Sequence, residues 1–307
     1  MEQATFEEMP LYGNEIDKAR AFMKIQEGCN NYCTFCIIPY TRGKLKSRRV
    51  EDIVKEAKRL VEHGYHEIVL TGIHLGNYGI ELPEKPNLAG VVKALLEIPG
   101  LERIRLGSIE SVEVSEELVD LMANEPRFCT HLHLPLQAGS DHILKLMNRH
   151  YNLQEFKDLI ARLRSRIPGL AITTDIIAGF PGETDEDFEE TMKTVEEIGF
   201  THIHAFPYSK REGTPAAAME DQVPEAVKKT RVALLNSLGQ KGLQNFAEQM
   251  IGKPAEILIE REEDGYYLGF TNEYIHGKIK KGTTAHDVGT IIGGTVTAFD
   301  GETLIIE

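Results

Sequence analysis

Hydrophobic residues along this chain fall into two textures that meet near residue 250. Before that point, short apolar runs alternate with longer segments whose apolar residues recur every three or four positions. The runs predict strands at 21–26, 67–71, 103–107, 131–134, 171–177 and 202–206. Between them the helical period predicts helices at about 50–63, 87–97, 115–123, 140–147 with 152–166, and 184–198. Strand and helix alternating in this way indicate parallel βαβ units. Six units are too few for an eight-fold barrel, so the expected α/β architecture over 21–223 is an open (β/α)6 partial TIM barrel. Thr184 before Asp185, Glu186 and Asp187 marks one helix start, and Ser115 before Glu116 and Glu117 a weaker one. Pro224 opens a linking helix over 224–251, with Val227, Leu234, Leu235, Leu238, Phe246 and Met250 as its apolar stripe. From Gly252 the period changes to two. Short segments at 255–259, 266–270, 275–279, 294–298 and 303–306 are divided by Gly, Asp and Asn, which predicts a small five-stranded antiparallel β-barrel over 252–307. Residues 1–20 lack periodicity and are expected to be a leader.

Composition adds bounds. Hydrophobic content of 41% and charged content of 27% suit a globular protein. No apolar run reaches the ~20 residues that span a bilayer. The acidic start is no signal peptide, so the expected compartment is the cytoplasm, with no membrane partner. A net charge of −14 argues against general nucleic-acid binding, DNA included. One stretch departs from it: Arg42, Lys44, Lys46, Arg48 and Arg49 place five cations and no anion in eight residues.

That basic stretch follows the densest chemistry in the chain. Cys29, Cys33 and Cys36, spaced C-x3-C-x2-C, are three of only four cysteines. Structural zinc takes four ligands and iron–sulfur cubanes are normally held by four cysteines. Three thiols therefore suggest a 4Fe–4S cluster with one open iron, or a zinc site completed by a distant histidine. Further polar turns fall where parallel strands end, the face on which such barrels gather ligands. They are Thr71-Gly72 after the second strand, Ser108 and Glu110 after the third, Gln137 after the fourth, and Gly179 with Pro181 after the fifth. Arg149 follows a helix, and a guanidinium fork suits a carboxylate. Asp175 reads as a strand residue able to face the interior. The same-face pairs His131/His133 and His202/His204 read as barrel-lining, and Cys129 as a small buried residue.

The motif resembles that of radical S-adenosylmethionine enzymes, and the string from Gly28 to Arg42, GCNNYCTFCIIPYTR, resembles the methylthiotransferases among them. The resemblance implies the same barrel. It also implies a cluster on Cys29, Cys33 and Cys36 whose open iron binds S-adenosylmethionine, with an external electron donor, to give a 5′-deoxyadenosyl radical. Thr71, Gly72, Ser108, Glu110, Gln137, Arg149, Gly179 and Pro181 are then expected to contact the cofactor. The string Asp264-Gly265-Tyr266-Tyr267-Leu268-Gly269 resembles the TRAM domain. RNA contact would rest on the basic stretch and on Lys278, Lys280 and Lys281.

Leu70 to Gly76 and Phe206 to Arg211 look most like the branch that methylthiolates threonylcarbamoyladenosine at position 37, in the anticodon loop of tRNA. Isopentenyladenosine in tRNA and a ribosomal-protein aspartate are the alternatives. The second barrel holds 5 basic and 10 acidic residues over 253–307, which favours a protein substrate. A non-catalytic RNA-binding or redox-sensing module that keeps a cluster is the rival of another class. The family's amino-terminal domain, with three cysteines for an auxiliary 4Fe–4S cluster, has no counterpart in this sequence. Only Cys129 remains, so one cluster and incomplete sulfur insertion are expected of this chain alone.

Overall fold

Six parallel strands stand at the predicted apolar runs in the computed structural model, which describes residues 19–307: Ala21–Lys24, Glu67–Thr71, Arg103–Leu106, His131–His133, Ala171–Ala178 and His202–Pro207. The expected leader falls almost wholly on residues 1–18, outside the described residues. Pairings such as Met23 with Leu70 and Val69 with Arg105 join the first three strands. His133 with Thr173 and Asp175 with His204 join the last three. Isolated pairings of Ile104 with Phe128 and Ser108 with His133 connect the halves. Among the described residues no pairing joins the sixth strand to the first, so the barrel is open.

Alternation decides which side chains meet which layer. Ile68, Leu70, Ile104, Leu106, Leu132 and Ile172 are buried in the main core. Glu67, Arg103, Arg105, His131, His133 and Thr173 take the alternate positions and form a polar lumen. The outer layer is Val50–Glu62, Leu88–Leu96, Glu116–Asn124, Asp141–Leu146, Leu153–Arg166 and Asp185–Ile198. Their caps are those their sequences offer. Thr184 accepts from the Asp187 N–H while the Asp187 carboxylate accepts from the Thr184 N–H, a reciprocal capping box. Ser115 accepts from the Leu118 N–H. None of the described helices is long and apolar enough to cross a membrane.

The linking helix runs Glu225–Met250 after Pro224, but its buried face differs from the predicted stripe. Leu234 is exposed, whereas Lys228 and Arg231 are buried. The cations are inside because partners wait there: Lys228 Nζ donates to the Tyr208 carbonyl at 3.1 Å, and Arg231 pairs with the buried Glu183 carboxylate at 2.5 Å. Glycines bring this helix against the barrel, since a Cβ on Gly242 would lie 2.1 Å from the Phe200 carbonyl oxygen.

The second barrel is closed by Pro254–Glu263, Tyr266–Phe270, His276–Lys280, Ile291–Phe299 and Leu304–Ile306 around a separate core. It is not wholly antiparallel as expected: His276–Lys280 and Leu304–Ile306 run parallel, and the other four pairings are antiparallel. Its 270–274 turn plugs one end of the lumen. Arg103 donates to the Phe270 and Glu256 carbonyls, and Arg105 to those of Asn272 and Thr271. Glu67, fully buried, is flanked by Arg20, Arg103 and Arg105. Burial opposes its charge, yet the arginines hold its carboxyl below the ordinary value of 4.5. Tyr274 stacks on Phe270 at 4.4 Å and lies against the His131 ring at 5.0 Å.

Candidate functional site

The three clustered cysteines lie on the loop that leaves the first strand, at the carboxyl ends of the barrel strands. Backbone geometry fixes that loop. Gly28 has φ +79°, and a Cβ there would fall 2.0 Å from the Lys44 carbonyl oxygen, so only glycine fits. The Cys29 N–H donates to the Gly43 carbonyl at 3.1 Å, and the Cys36 N–H to the Cys33 carbonyl at 3.0 Å. Across the barrel mouth, Thr34 bonds the Met147 and Leu146 carbonyls, and the Asn148 amide donates to the Asn31 and Tyr32 carbonyls. Residues more than a hundred positions apart thus hold the thiols in place.

Arg149 emerges from the same corner, its side chain only 3% exposed. Its guanidinium grips both carboxylate oxygens of Glu110 and donates to the Cys33 sulfur at 3.3 Å. It also lies over the Tyr151 ring, whose hydroxyl donates to the Leu136 carbonyl at 2.9 Å. Burial disfavours the guanidinium charge, but Tyr151, Glu110 and Cys33 more than compensate and raise its pKa. Burial pushes the Cys33 and Cys36 thiols up, only partly relieved by Arg149, so these sulfurs are not free thiolates waiting in water.

A histidine completes the surroundings. His74 is 2% exposed, with Nδ1 3.6 Å from the Cys29 sulfur and Nε2 closely hydrogen-bonded to Glu113. Burial works against its charge, while the bonds to Cys29 and Glu113 outweigh that and push the imidazole up to about 9. The His74 backbone N–H donates to Gln26 Oε1 at 2.7 Å, and the Gln26 amide donates in turn to the Glu27 and Gly28 carbonyls. The sequence reading singled out neither His74 nor Gln26 as site residues. The available signal was their place, in the turn after the second strand and two residues before the glycine of the motif.

The remaining predicted residues divide. Thr71 pairs with Lys24, and a Cβ on Gly72 would touch the Gln26 side chain at 3.0 Å, beside the cysteine loop. Ser108 pairs with His133 at the same rim. Gln137 adopts φ +68°, its N–H on the Asp175 carbonyl at 2.8 Å. The Gly179 N–H is taken by the Glu183 carboxylate at 3.0 Å, with Pro181 in the turn between them. In the lumen, His133 lies 3.3 Å from the Asp175 carboxylate, and His202 and His204 are held below the ordinary histidine value by burial. Cys129 is far from the loop and bonds weakly to Asn272. Of the basic stretch, Arg42, Lys44 and Arg49 are exposed, but Arg48 is buried and paired with Glu56, which withdraws it from any outer surface. Lys278 and Lys281 pair with Asp300 and Glu262, while Lys280 is exposed.

Among the described residues no three His, Cys, Asp or Glu side chains are arranged to hold a single metal ion. A zinc site on the three cysteines and a histidine is thus not preformed. A cubane asks for a different arrangement, because each of its irons takes a separate thiolate. Three sulfurs on one loop, with N–H donors to Cys33 and Cys29 and a mouth beside them, fit that group.

The family model described as Radical SAM superfamily matches residues 23–195. Threonylcarbamoyladenosine tRNA methylthiotransferase MtaB of Bacillus subtilis is 45% identical over 265 residues, covering 84% of this chain and 58% of its own length. A tRNA-2-methylthio-N(6)-dimethylallyladenosine synthase of Thermoanaerobacter sp. is 46% identical over 254 residues, covering 83% and 54%. The chain thus spans little more than half the length of these curated relatives. In fold it is similar to coproporphyrinogen III oxidase (HemN) of Escherichia coli, with a TM-score of 0.54 and 15% identity over 75% of this chain and 54% of that one. It is also similar to the radical S-adenosylmethionine methyltransferase TsrM of Kitasatospora setae, with a TM-score of 0.53 and 17% identity over 81% and 42%.

Proposed function

The chain belongs to the radical SAM superfamily, and from that membership we propose that it is the radical-generating part of a methylthiotransferase acting on threonylcarbamoyladenosine at position 37 of tRNA. The observation that carries this reading is the three-thiol loop set beside the Arg149–Glu110 pair at the strand ends. In it, Cys29, Cys33 and Cys36 hold a 4Fe–4S cluster and leave one iron for the methionine end of S-adenosylmethionine. When bound, cluster and cofactor would together supply a one-electron reductive cleavage of the sulfonium C–S bond, the electron coming from an external donor.

The protein's own part is to bind and orient. Arg149 and Glu110 carry the two charges that complement an amino-acid end group, guanidinium for its carboxylate and carboxylate for its ammonium. Gly72, lacking a Cβ, lets backbone at the second strand's end approach the ligand, with Thr71 and Ser108 on the same rim. Gln137 contributes from the facing turn, and Gly179 and Pro181 border the base. The lumen, lined by His133, Asp175 and His204, receives the modified adenosine. The exposed cations Arg42, Lys44 and Arg49 meet tRNA phosphates, and the second barrel adds Lys280.

The threonylcarbamoyl branch is supported by the strings around Thr71–His74 and Phe206–Arg211 and by the likeness to the Bacillus subtilis enzyme. The test is anaerobic reconstitution with iron and sulfide, then reductant and S-adenosylmethionine. Release of 5′-deoxyadenosine is expected, and an intact cluster that releases none would favour a binding module. Mass spectrometry of tRNA nucleosides from cells lacking the gene identifies the branch by which 2-methylthio nucleoside disappears.

A further inference from the structure

We propose that His74 is a positioning residue for the cluster site: its Nδ1–H is held on the Cys29 sulfur and raises the reduction potential of a cluster bound there. The inference rests on the reading of the three cysteines as cluster ligands. A ligand sulfur is deprotonated and can only accept, so the ring nitrogen 3.6 Å away must bring the hydrogen.

The ring is held at both ends, because the Glu113 carboxylate accepts from Nε2–H while Nδ1–H faces Cys29. The backbone N–H of His74 is tied to Gln26, which fixes the turn that carries the ring. Glu113 itself is admitted because residue 76 is glycine, where a Cβ would stand 2.3 Å from the carboxylate oxygen. A histidine placed only for packing would be satisfied by one backbone carbonyl. This one is strung between a carboxylate and a sulfur, the arrangement that orients a metal ligand and tunes its donor strength. Cys29 receives the imidazole and Cys33 the Arg149 guanidinium, so the sulfurs differ in charge donated to iron. Hydrogen bonds to cluster sulfurs draw off electron density and favour the reduced state.

The test compares the full chain with His74→Phe, His74→Gln and Glu113→Gln, each reconstituted anaerobically with iron and sulfide and titrated by electron paramagnetic resonance against solution potential. All four are expected to hold about four irons per chain. His74→Phe should shift to a more negative potential and lose iron to a chelator several-fold faster. His74→Gln keeps an N–H donor and should fall between it and the unmodified chain, with Glu113→Gln showing a smaller shift of the same sign. An unchanged potential in His74→Phe with its iron intact overturns the proposal. If that variant fails to take up iron, unchanged potentials in both glutamine variants overturn it equally. An unmodified chain that binds no iron overturns the functional reading itself, which separates the two failures.

Discussion

Arg149 shows how much one side chain at this site is asked to do. Its fork spans Glu110 and touches Cys33 from a side chain 3% exposed, so geometry as well as charge matters. Lysine keeps the charge but cannot make two parallel bonds. Arg149→Lys is expected to weaken S-adenosylmethionine binding to the reconstituted chain about tenfold, or about 1.4 kcal/mol, by equilibrium dialysis. Unchanged affinity would remove Arg149 from the cofactor site. The sequence made the three cysteines legible because their spacing is local. Arg149 and Glu110 were legible only through the strings around them, since no periodicity brings residues 39 positions apart together. His74 and Gln26 were not legible as site residues. A buried histidine and glutamine have many possible partners, and only the fold places them against Cys29 and the glycine of the motif.

At the scale of elements, strand and helix positions in the first barrel followed from apolar spacing to within a residue or two, whereas in the second barrel Pro254–Glu263 and Ile291–Phe299 run well beyond the predicted 255–259 and 294–298. The linking helix was misread on one face. Apolar spacing cannot signal that Lys228 and Arg231 find carbonyls and carboxylates inside, nor that Leu234 is left out. The two glycines of that helix separate packing from propensity. Gly242→Ala gains about 1 kcal/mol of helix propensity but drives a Cβ to 2.1 Å from the Phe200 carbonyl oxygen, a backbone atom that cannot yield cheaply. Gly239→Ala meets Ile203 less closely, its Cβ at 3.3 Å and its backbone nitrogen at 3.5 Å. Melting is expected to fall by several degrees in the first and to change little in the second; the reverse order would refute this packing. The clamp between the barrels makes a pH prediction. The folded pKa of Glu67 lies below its ordinary 4.5, so its contribution is complete above that value and is lost as pH falls through the lower folded one. Glu67→Gln leaves Arg105 without a carboxylate, while Arg20 keeps Glu260 and Arg103 keeps Glu256. It should cost about 3–5 kcal/mol at neutral pH and flatten the acid limb of a denaturation curve below pH 4.5.

At the scale of the whole molecule, a protein of net charge −14 that meets a polyanion must do so through short-range contacts against a repulsive long-range field. The structure reduces the candidates for those contacts. Arg48 is internal, Lys278 and Lys281 are neutralised by Asp300 and Glu262, and the exposed cations of the basic stretch are Lys44, Arg49 and Arg42, the last at 3.5 Å from the Glu27 carboxylate. If these three carry the phosphates, the salt dependence of tRNA binding should be shallow, each phosphate contact adding roughly 0.7–0.9 to the logarithmic slope. Replacing Lys44 and Arg49 by glutamine should weaken binding and flatten the slope by about 1.4–1.8, while Lys280→Gln should flatten it by at most about 0.9. Filter binding of transcribed tRNA across a salt series measures both. A pair variant with the original slope would move the RNA contact away from the cluster-side mouth. The acidic second barrel would then fit a basic protein partner better than tRNA.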